Sequence, residues 1–419
     1  MRTGGWINSA MDSLLMGALY QADECKNGLC RLKIVHVITR LIVGGAQENT
    51  ILTCEGQQRR GNDVTLITGP STGPEGSLMQ RADEGGYRVI VEESLVRSAH
   101  PIMDVRAYQR LKKLCIKLQP DVIHTHSSKA GIVGRVAAWN CKVPVVVHTI
   151  HGLAFHPYQS KLTNAAWIAL ERFAARRCHK IVSVADAMTR QALACGVGKP
   201  EQFITVYSGM DIKPFLAAAD QRAQARRKLG IADDRIVMGT IARLQPLKGH
   251  DDLLAIAAEL FAAQPRLLFL WIGDGQFQPR IMAKIRTAGW QDRFILTGLV
   301  PPAQVPQLIP AMDMMVHPSY REGLPRAVAQ GMLEAIPAIV YNCDGANEVC
   351  IDGRSGILVE PGDLAGLQSA ILQLSENADL RNAMGAHGKV LAAKRFDATI
   401  MVDSLLDVYQ KVQGERHVS

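Results

Sequence analysis

The feature of this sequence that most restricts its fold is a repeated alternation of short β-branched runs with helix-length polar segments. From Lys33 onward, such segments follow the runs KIVHVIT, DVTLIT, YRVIVEE, DVIHTH, VPVVVHTIH and KIVSVA. After residue 213 the alternation restarts with RIVMGTIA, RLLFLWIG, FILTG, MMVHPS, PAIVYN and GILVEP. Strands that alternate with helices predict parallel sheets covered on both faces. The sequence therefore predicts an α/β protein with two doubly wound, Rossmann-like domains facing each other across a cleft.

Length and pattern together predict the domain boundaries. A chain of 419 residues is long for a single hydrophobic core. We predict an N-terminal extension over residues 1–32, a first domain over 33–213, a second over 214–395 and a C-terminal helix over 396–419. The segment MDSLLMGALYQA is short, weakly apolar and preceded by little positive charge, so a cleaved leader is not expected. A run of 18 apolar residues is missing from the sequence, so no transmembrane helix is expected.

Composition and charge narrow the class of protein. Hydrophobic residues make up 47% and charged residues 21%, as in an ordinary globular protein. The formal charge is +8, and its basic surplus lies in residues 1–215, which hold 26 Lys and Arg against 17 Asp and Glu. Such a surplus attracts phosphates, nucleic acid or an anionic membrane, and charge alone does not choose among them. The nine cysteines contain no C-x-x-C pair, which argues against a zinc site and a disulfide framework and favours a reducing cytosol.

The loops that follow the first strand of each unit are candidate anion sites, because doubly wound sheets bind ligands at the carboxyl ends of their strands. Gly44-Gly45 follows the first strand of the first unit. It allows the backbone to approach a ligand at a helix start, or it is only a tight turn. Arg243 and Lys248 follow the first strand of the second unit and form a compact clamp for phosphate, unless they are only a solvated basic loop.

The segment YREGLPRAVAQG (residues 320–331) combines an acid with a helix start. Pro325 suits the first turn of a helix, where neighbouring amides can face an anion. Glu322 then lies in the preceding loop and points into the cleft, or it only partners the helix dipole. Arg326, Gln330 and Glu334 are spaced by four residues and are predicted to share one helix face.

Several histidines cluster near the ends of two predicted strands. His124 and His126 alternate by two and point to the same side of a strand. Neither an H-E-x-x-H motif nor a cysteine partner accompanies them, so no metal site is predicted. His151, which is followed by Gly152, is the better candidate for contact with a substrate. The cluster consists of His124, His126, His148, His151 and His156.

Two further patterns bear on function. NAAWIALERFAARRCHK (residues 164–180) has apolar residues at helical spacing and arginines near its end, which predicts core packing or compensation of the helix dipole, with a membrane-facing role for part of the helix as the alternative. A P-loop, a G-x-G-x-x-G after the first strand and a D-x-D triplet are all missing from the sequence. Their absence disfavours a nucleoside triphosphatase, a dinucleotide-dependent dehydrogenase and a metal-dependent sugar-nucleotide enzyme.

Several of these motifs together resemble glycosyltransferase family 4, the retaining enzymes of GT-B fold. In the first half the similar segments are Gly44-Gly45, HTHSSKAG, TIHG and VYSGMD. In the second half they are Arg243 with Lys248-Gly249, Gly273-Asp274-Gly275, Thr297-Gly298, and His317-Pro318-Ser319 with REGLPR. The resemblance covers residues 33 to about 395 in order. HGLAFHPYQ and YSGMD are most similar to bacterial members that build surface polysaccharide or lipopolysaccharide.

The resemblance implies roles for individual residues. The first domain would bind the acceptor, the second the nucleotide sugar, and the C-terminal helix would cross back to the first domain. Arg243 and Lys248 would hold the diphosphate, His151 would lie near the donor sugar, and Glu322 would bond its hydroxyls; these four form the implied catalytic set. No metal, cofactor or protein nucleophile is implied. The other donor-binding residues would be Gly44, Gly45, Gly273, Gly298, Gly323, Leu324, Pro325 and Gln330.

One position departs from the family pattern of two glutamates separated by seven residues. Gln330 stands where the second glutamate would accept hydrogen bonds from the nucleotide ribose. An amide still accepts such a bond but loses charge assistance, which costs about 1 to 2 kcal/mol of donor affinity. This departure motivates a rival hypothesis, a non-catalytic protein that binds a nucleotide sugar or a partner. A GT-B sugar-nucleotide epimerase is a second rival.

The resemblance predicts a cytoplasmic hexosyltransferase that takes its sugar from a UDP-sugar. The expected acceptor is a saccharide or a polyprenyl-diphosphate-linked saccharide in cell-surface polysaccharide synthesis. Peripheral contact with the anionic inner face of the cell membrane would suit the basic first half. We expect no nucleic-acid partner.

Overall fold

A computed structural model describes residues 31–71, 76–98 and 100–417, so all but the last two residues of the predicted extension lie outside the described residues. The described chain forms two parallel sheets of seven and six strands. The strands of the first sheet are β1 Lys33–Ile38, β2 Asp63–Thr68, β3 Arg88–Val91, β4 Val122–His126, β5 Val145–Ile150, β6 Lys180–Ser183 and β7 Phe203–Thr205. Those of the second are β8 Ile236–Ile241, β9 Leu267–Ile272, β10 Phe294–Leu296, β11 Met314–His317, β12 Ala338–Tyr341 and β13 Gly356–Val359.

Helices separate the strands along the chain in both halves. In the first half they are α1 Gly45–Arg59, α2 Met79–Asp83, α3 Pro101–Leu118, α4 Ser128–Asn140, α5 Lys161–Ala175, α6 Asp186–Ala194 and α7 Lys213–Ala218. In the second half they are α8 Arg222–Leu229, α9 His250–Ala255, α10 Ala257–Ala263, α11 Gln278–Thr287, α12 Arg326–Leu333, α13 Ala346–Val349, α14 Leu364–Glu376 and α15 Ala378–Arg395. The chain ends in α16 Ala398–His417.

Strand order places a crevice at the same point of each sheet. The first sheet runs β3-β2-β1-β4-β5-β6-β7 and the second β10-β9-β8-β11-β12-β13, with every pair parallel. Strands such as LLFLWI in β9 and VVVHTI in β5 are buried along their whole length, as helices on both faces require. In each sheet the order reverses between two central strands, which opens a crevice at their carboxyl ends. The predicted fold class of two doubly wound, Rossmann-like parallel sheets is confirmed.

Two local elements differ from the sequence predictions. The edge strand β7 was not predicted, because its three residues FIT are only half buried and too few to show alternation. The helix-length segment GHDDLLAIAAELFAAQ, which follows β8, is not one continuous helix: it divides into α9 and α10 at Ile256, whose φ of −99° and ψ of 2° leave the helical range. We find no residue in the segment that explains this break.

The two domains share a continuous apolar interface beside the cleft. Leu153 and Val184 of the first domain belong to the same buried cluster as Leu324 and Val328 of the second. At its edge, a Cβ atom on Gly323 would lie 1.9 Å from the carbonyl oxygen of His151. Only glycine therefore permits the loop before α12 to approach the end of β5 so closely.

The C-terminal helix α16 packs against the first domain. Val402, Leu405 and Tyr409 of α16 are buried in one cluster with Ile34 of β1 and Leu52 of α1. Just before the helix, the chain pairs with the first domain, since the Met210 amide donates to the Phe396 carbonyl at 2.8 Å. The helix thus lies behind the first sheet.

Helix α5 packs against the core on one side, as predicted, through Trp167 and Ile168, but it exposes part of its apolar surface on the other side. Its inner side carries Glu171, which pairs with the buried Arg135 at 2.6 Å. On its outer side Leu162 is 82% exposed, and Leu170 and Phe173 are also exposed. None of the described helices has the length and apolar character that a membrane span needs.

Candidate active site

A cleft of about 730 Å³ lies between the two domains at the carboxyl ends of the strands. Gly298 does not line it: its carbonyl accepts a hydrogen bond from the Gly273 amide at 3.1 Å, so it supports the lining from behind. The other residues selected from the sequence all line the cleft: Gly44, Gly45, His151, Arg243, Lys248, Gly273, Glu322, Gly323, Leu324, Pro325 and Gln330.

Glu322 is held rigidly at the floor of the cleft. Its Oε1 accepts hydrogen bonds from Lys248 Nζ at 2.5 Å and from His317 Nε2 at 2.9 Å. Its backbone N–H donates to the Asp344 carboxylate at 2.8 Å. Both of these side-chain contacts use Oε1.

The environment of Glu322 keeps its carboxylate charged. Burial alone would raise the pKa of Glu322, but the Lys248 charge and the His317 hydrogen bond outweigh burial and lower this pKa well below its usual range. The cleft therefore contains a fixed negative charge beside a fixed positive one at neutral pH.

Glycines allow the basic loop after β8 to lie against its neighbours. Gly249 has a φ of +72°, and a Cβ atom there would lie 1.9 Å from the carbonyl oxygen of Pro318. Gly273 has a φ of +141°, and its Cβ atom would lie 2.2 Å from the carbonyl oxygen of Ala242. Lys248 is thereby brought next to the loop that carries Glu322.

Helix α12 separates residues that the sequence placed on one face. Pro325 is the residue before the helix rather than its first residue, and Gln330 lines the cleft. Glu334 lies beyond the last helical residue, does not line the cleft and is 4% exposed. Its two carboxylate oxygens have no hydrogen-bond partner among the described residues. Burial raises the pKa of Glu334 to about 9, opposed only by the charge of Lys389.

Arg326 connects the two domains across the cleft, a contact that the sequence reasoning did not identify. Its guanidinium donates to Ser208 Oγ at 3.1 Å and to the Gly209 carbonyl at 3.0 Å. It also pairs with Glu48 at 3.2 Å, and its Cδ would be 3.0 Å from a Cβ atom on Gly45. The spacing of Arg326 and Gln330 on one face was the available signal, but its partners lie more than 100 residues away in sequence.

Buried histidines continue from the cleft into the first domain. His151 Nε2 lies 3.1 Å from His126 Nδ1, and His126 Nε2 lies 2.9 Å from His36 Nδ1. His36 Nε2 lies 2.8 Å from Gln57 Oε1. Burial lowers the pKa of His36 to about 4, and burial with the Arg326 charge lowers that of His151 to about 3, so both rings are neutral at pH 7.

The same rings offer a candidate metal cluster that is already occupied by hydrogen bonds. Ligand atoms of His36, His124 and His126 lie within 4.8 Å of one another. However, His124 contacts the Tyr409 hydroxyl at 2.5 Å and Thr149 Oγ1 at 2.6 Å. Both ring nitrogens of all three histidines thus have protein partners. A metal would have to displace these bonds, so we describe the rings as a hydrogen-bonded chain.

Comparison with protein families assigns both halves of the chain. Residues 43–213 match the family described as Glycosyltransferase Family 4. Residues 221–390 match the family described as Glycosyl transferases group 1. The first matched segment covers the crevice of the first sheet, and the second covers the crevice of the second sheet.

Individual relatives agree with these matches. The chain is 27% identical over 383 residues to the UDP-Gal:alpha-D-GlcNAc-diphosphoundecaprenol alpha-1,3-galactosyltransferase of Escherichia coli, covering 90% of this chain and 97% of the relative. It is 30% identical over 318 residues to a D-inositol 3-phosphate glycosyltransferase of Geodermatophilus obscurus, covering 70% of this chain and 67% of the relative.

Solved structures share the fold. Alr3699/HepE from Anabaena, crystallised with UDP, superposes with a TM-score of 0.76 at 21% identity, over 91% of this chain and all of that one. WaaG, a glycosyltransferase involved in lipopolysaccharide biosynthesis, superposes with a TM-score of 0.70 at 15% identity, over 90% of this chain and 99% of that one.

Proposed function

The chain belongs to glycosyltransferase family 4, and from that premise we propose its reaction: transfer of a sugar from a UDP-sugar to a polyprenyl-diphosphate-linked saccharide, with retention of the anomeric configuration. The protein is a glycosyltransferase that uses a nucleotide sugar. The uridine base, the stereochemistry and the lipid-linked acceptor are the parts that we propose. They would place the enzyme in the synthesis of a cell-surface polysaccharide.

One observation carries the proposal: a cationic wall and a fixed carboxylate meet in the cleft. Arg243 and Lys248 line it from the loop after β8, and Glu322 lines it from the loop before α12. A diphosphate needs positive charge, whereas a sugar needs hydrogen-bond acceptors for its hydroxyls. This cleft offers both within the reach of one nucleotide sugar.

The leaving diphosphate would be stabilised by the second domain. As the bond between the sugar and phosphate breaks, negative charge grows on the phosphate oxygens. Arg243, Lys248 and the amides at the start of α12 are fixed beside the cleft and can stabilise this charge without reorganising. We propose that these groups replace a metal ion, so that no cofactor is needed.

The donor sugar would be oriented by residues from both domains. Glu322 Oε2 can accept a hydrogen bond from a sugar hydroxyl while Oε1 stays bound to Lys248. His151 approaches from the first domain, whose chain contacts Gly323 next to Glu322. Gln330 would accept a bond from the ribose. Holding the anomeric carbon in this way favours attack by the acceptor hydroxyl on the face from which the diphosphate leaves.

The acceptor would be presented at a membrane by the first domain. The Escherichia coli relative acts, by its name, on a diphosphoundecaprenol-linked sugar. Helix α5 of this chain exposes Leu162, Leu170 and Phe173 beside the exposed Arg172 and Arg176. Apolar side chains flanked by cations are suited to an anionic lipid surface. We propose that α5 makes a peripheral contact with the inner face of the cell membrane.

Calorimetric titration of UDP, GDP and ADP into the purified protein, with and without magnesium, tests the donor site. The proposal predicts selective binding of UDP that does not depend on magnesium and is lost in the Lys248→Met variant. Selective binding of another diphosphate would overturn the uridine assignment. Failure to bind any diphosphate would favour the non-catalytic alternative that Gln330 suggests.

A further inference from the structure

A continuous line of buried side chains connects the cleft with the C-terminal helix. It runs from His151 at the cleft through His126 and His36 to Gln57 of α1. Gln57 Nε2 then donates to the Tyr409 hydroxyl of α16 at 3.2 Å. Apart from His151, every member of this line is fully buried. A buried amide such as Gln57 is costly unless it is paired, so the line must satisfy it.

We propose that Gln57 is a positioning residue that sets the tautomer of His151 through His36 and His126. It leaves His151 with a proton on Nε2 and with an unprotonated Nδ1 to offer to the cleft. The use of this nitrogen by the donor sugar rests on the proposed function, but the tautomer itself does not.

The donors and acceptors along the line determine the tautomer of each ring. A neutral imidazole has one N–H donor and one acceptor nitrogen, and each contact between two rings needs one of each. The Gln57 carbonyl oxygen can only accept, so His36 carries its proton on Nε2. His36 Nδ1 then accepts from His126 Nε2–H, and His126 Nδ1 accepts from His151 Nε2–H. The direction of the hydrogen bond between His36 and Gln57 thereby fixes the direction of the bond between His126 and His151.

The hydrogen bonds along the line all run in one direction because the three histidine rings are neutral. Burial lowers the pKa of His36 to about 4 and that of His126 well below its usual range. For His151, burial and the Arg326 charge lower the pKa to about 3. A second proton on any ring would turn its acceptor nitrogen into a donor, so that two donors would face each other. The low pKa values of the three rings prevent this protonation at neutral pH.

Reversal of the line requires all its members to change together. If the Gln57 amide turned over, its NH₂ group would donate to His36, and all three histidines would have to exchange tautomers. The Tyr409 hydroxyl, which contacts His124 Nδ1 at 2.5 Å, would have to reverse as well. Linked hydrogen bonds of this kind strengthen one another in a low dielectric, so the line behaves as one unit.

The tautomer of His151 decides whether its Nδ1 accepts a hydrogen bond from the donor sugar or donates one to it. With Nδ1 unprotonated, His151 accepts a hydrogen bond from a sugar hydroxyl. With the opposite tautomer, Nδ1 of His151 would carry the proton and would donate instead. A sugar hydroxyl that already donates to Glu322 would then meet a donor rather than an acceptor at His151. A wrong tautomer should therefore lower kcat, while the diphosphate contacts preserve most of the donor affinity.

The tautomer is measurable without substrate by long-range ¹H–¹⁵N NMR on protein labelled in its histidine rings. In the wild type we expect the His151 spectrum of an Nε2–H ring, assigned by its loss in His151→Asn. The opposite tautomer in the wild type would overturn the proposal. A stoichiometric metal bound by His36 and His126 in the purified protein would also overturn it. Neither result depends on turnover, so failure here is distinct from failure of the proposed function.

Two variants separate positioning from general damage to the core. Gln57→Leu removes the amide, and we expect a mixed or inverted His151 tautomer and a kcat about tenfold lower with KM for the donor nearly unchanged. Thr53→Val removes a buried hydroxyl from the same helix, where it donates to the Asn49 carbonyl at 2.8 Å, and leaves every member of the line in place. It should destabilise the protein but leave the His151 spectrum and kcat within twofold. Equal changes in both variants, or an unchanged spectrum in Gln57→Leu, would contradict the proposal.

Discussion

At the scale of single residues, Gln330 is the clearest departure from the family pattern, and its place in the cleft makes its effect testable. We expect Gln330→Glu to bind UDP about five- to thirtyfold more tightly, because a charged acceptor gains about 1 to 2 kcal/mol over an amide. Calorimetry measures the change, and Gln330→Ala should weaken binding. Tighter binding without a gain in turnover would mean that glutamine already serves catalysis, whereas loss of binding would place the ribose elsewhere.

Glu334 offers a prediction about pH and stability. Burial raises its pKa to about 9 from the usual value of about 4.5, so the folded state binds its proton more tightly than the unfolded state. Its contribution to stability is therefore complete below pH 4.5 and is lost as pH rises towards 9. Relative to the wild type, the free energy of unfolding of Glu334→Gln should rise by roughly 2 to 4 kcal/mol as the pH goes from 5 to 9.

Urea unfolding followed by circular dichroism across this pH range measures the difference. Glu376→Gln is a matched control, since Glu376 is exposed near the end of α14. A constant difference between Glu334→Gln and the wild type would show that Glu334 is not buried as a neutral acid.

The sequence located single residues where one local motif was enough. Lys248 and Glu322 were predicted from loops after strands, and the structure brings them into contact at 2.5 Å. Arg326 was placed on a helix face, but its contacts with Ser208 and Glu48 depend on how two domains meet. Sequence periodicity carries no information about that arrangement, so such contacts could not be predicted.

At the scale of elements, helix α5 carries the proposed membrane contact. We expect the double variant Leu162→Ser, Phe173→Ser to bind vesicles of phosphatidylethanolamine and phosphatidylglycerol (70:30) at least tenfold more weakly. The physical reason is that burying each apolar side chain stabilises the contact by about 1.5 to 3 kcal/mol. Vesicle flotation measures the binding.

A matched control comes from the second domain. Val390 on α15 is 70% exposed, and Val390→Ser should leave vesicle binding unchanged. Binding should also fall as salt rises, because anionic lipid attracts Arg172 and Arg176 electrostatically. Equal binding by the α5 variant and the wild type would remove α5 from the membrane contact.

Elements were predictable in proportion to their length and burial. Strands β5 and β9 are continuous apolar runs, and the sequence identified both. The edge strand β7 was missed because three half-buried residues show no period. Periodicity predicted the apolar stripe of α5, but it could not show that Leu162 and Phe173 remain exposed, since a hydrophobic pattern does not reveal what covers it.

At the scale of the whole molecule, the ion pair between Arg326 and Glu48 joins the two domains across the cleft. Their side chains are 10% and 17% exposed, so removing one partner leaves a largely buried charge unpaired. We expect Arg326→Met to destabilise the protein by roughly 2 to 4 kcal/mol and to widen the cleft. Small-angle scattering should show a larger radius of gyration for this variant, and thermal unfolding measures its stability.

A double-mutant cycle isolates the pair from the other contacts of Arg326. Combining Arg326→Met with Glu48→Leu should recover part of the loss, giving a coupling energy of about 1 kcal/mol or more. Additive effects would show that the bonds from Arg326 to Ser208 and Gly209, rather than its pair with Glu48, join the domains.

The reaction that we propose is retaining transfer from a UDP-sugar to a lipid-linked saccharide. It is tested most directly by incubating the wild type with UDP-[¹³C]galactose and a synthetic GlcNAc-diphospho-lipid and determining the anomeric configuration of the product by NMR. We predict an α-linked product from the α-linked donor, with the rate reduced about 100-fold in Glu322→Gln. A β-linked product would contradict retention. Other UDP-sugars should be tried in the same assay. Conversion of a donor without an acceptor would contradict the account as a whole, and so would the absence of transfer from every UDP-sugar.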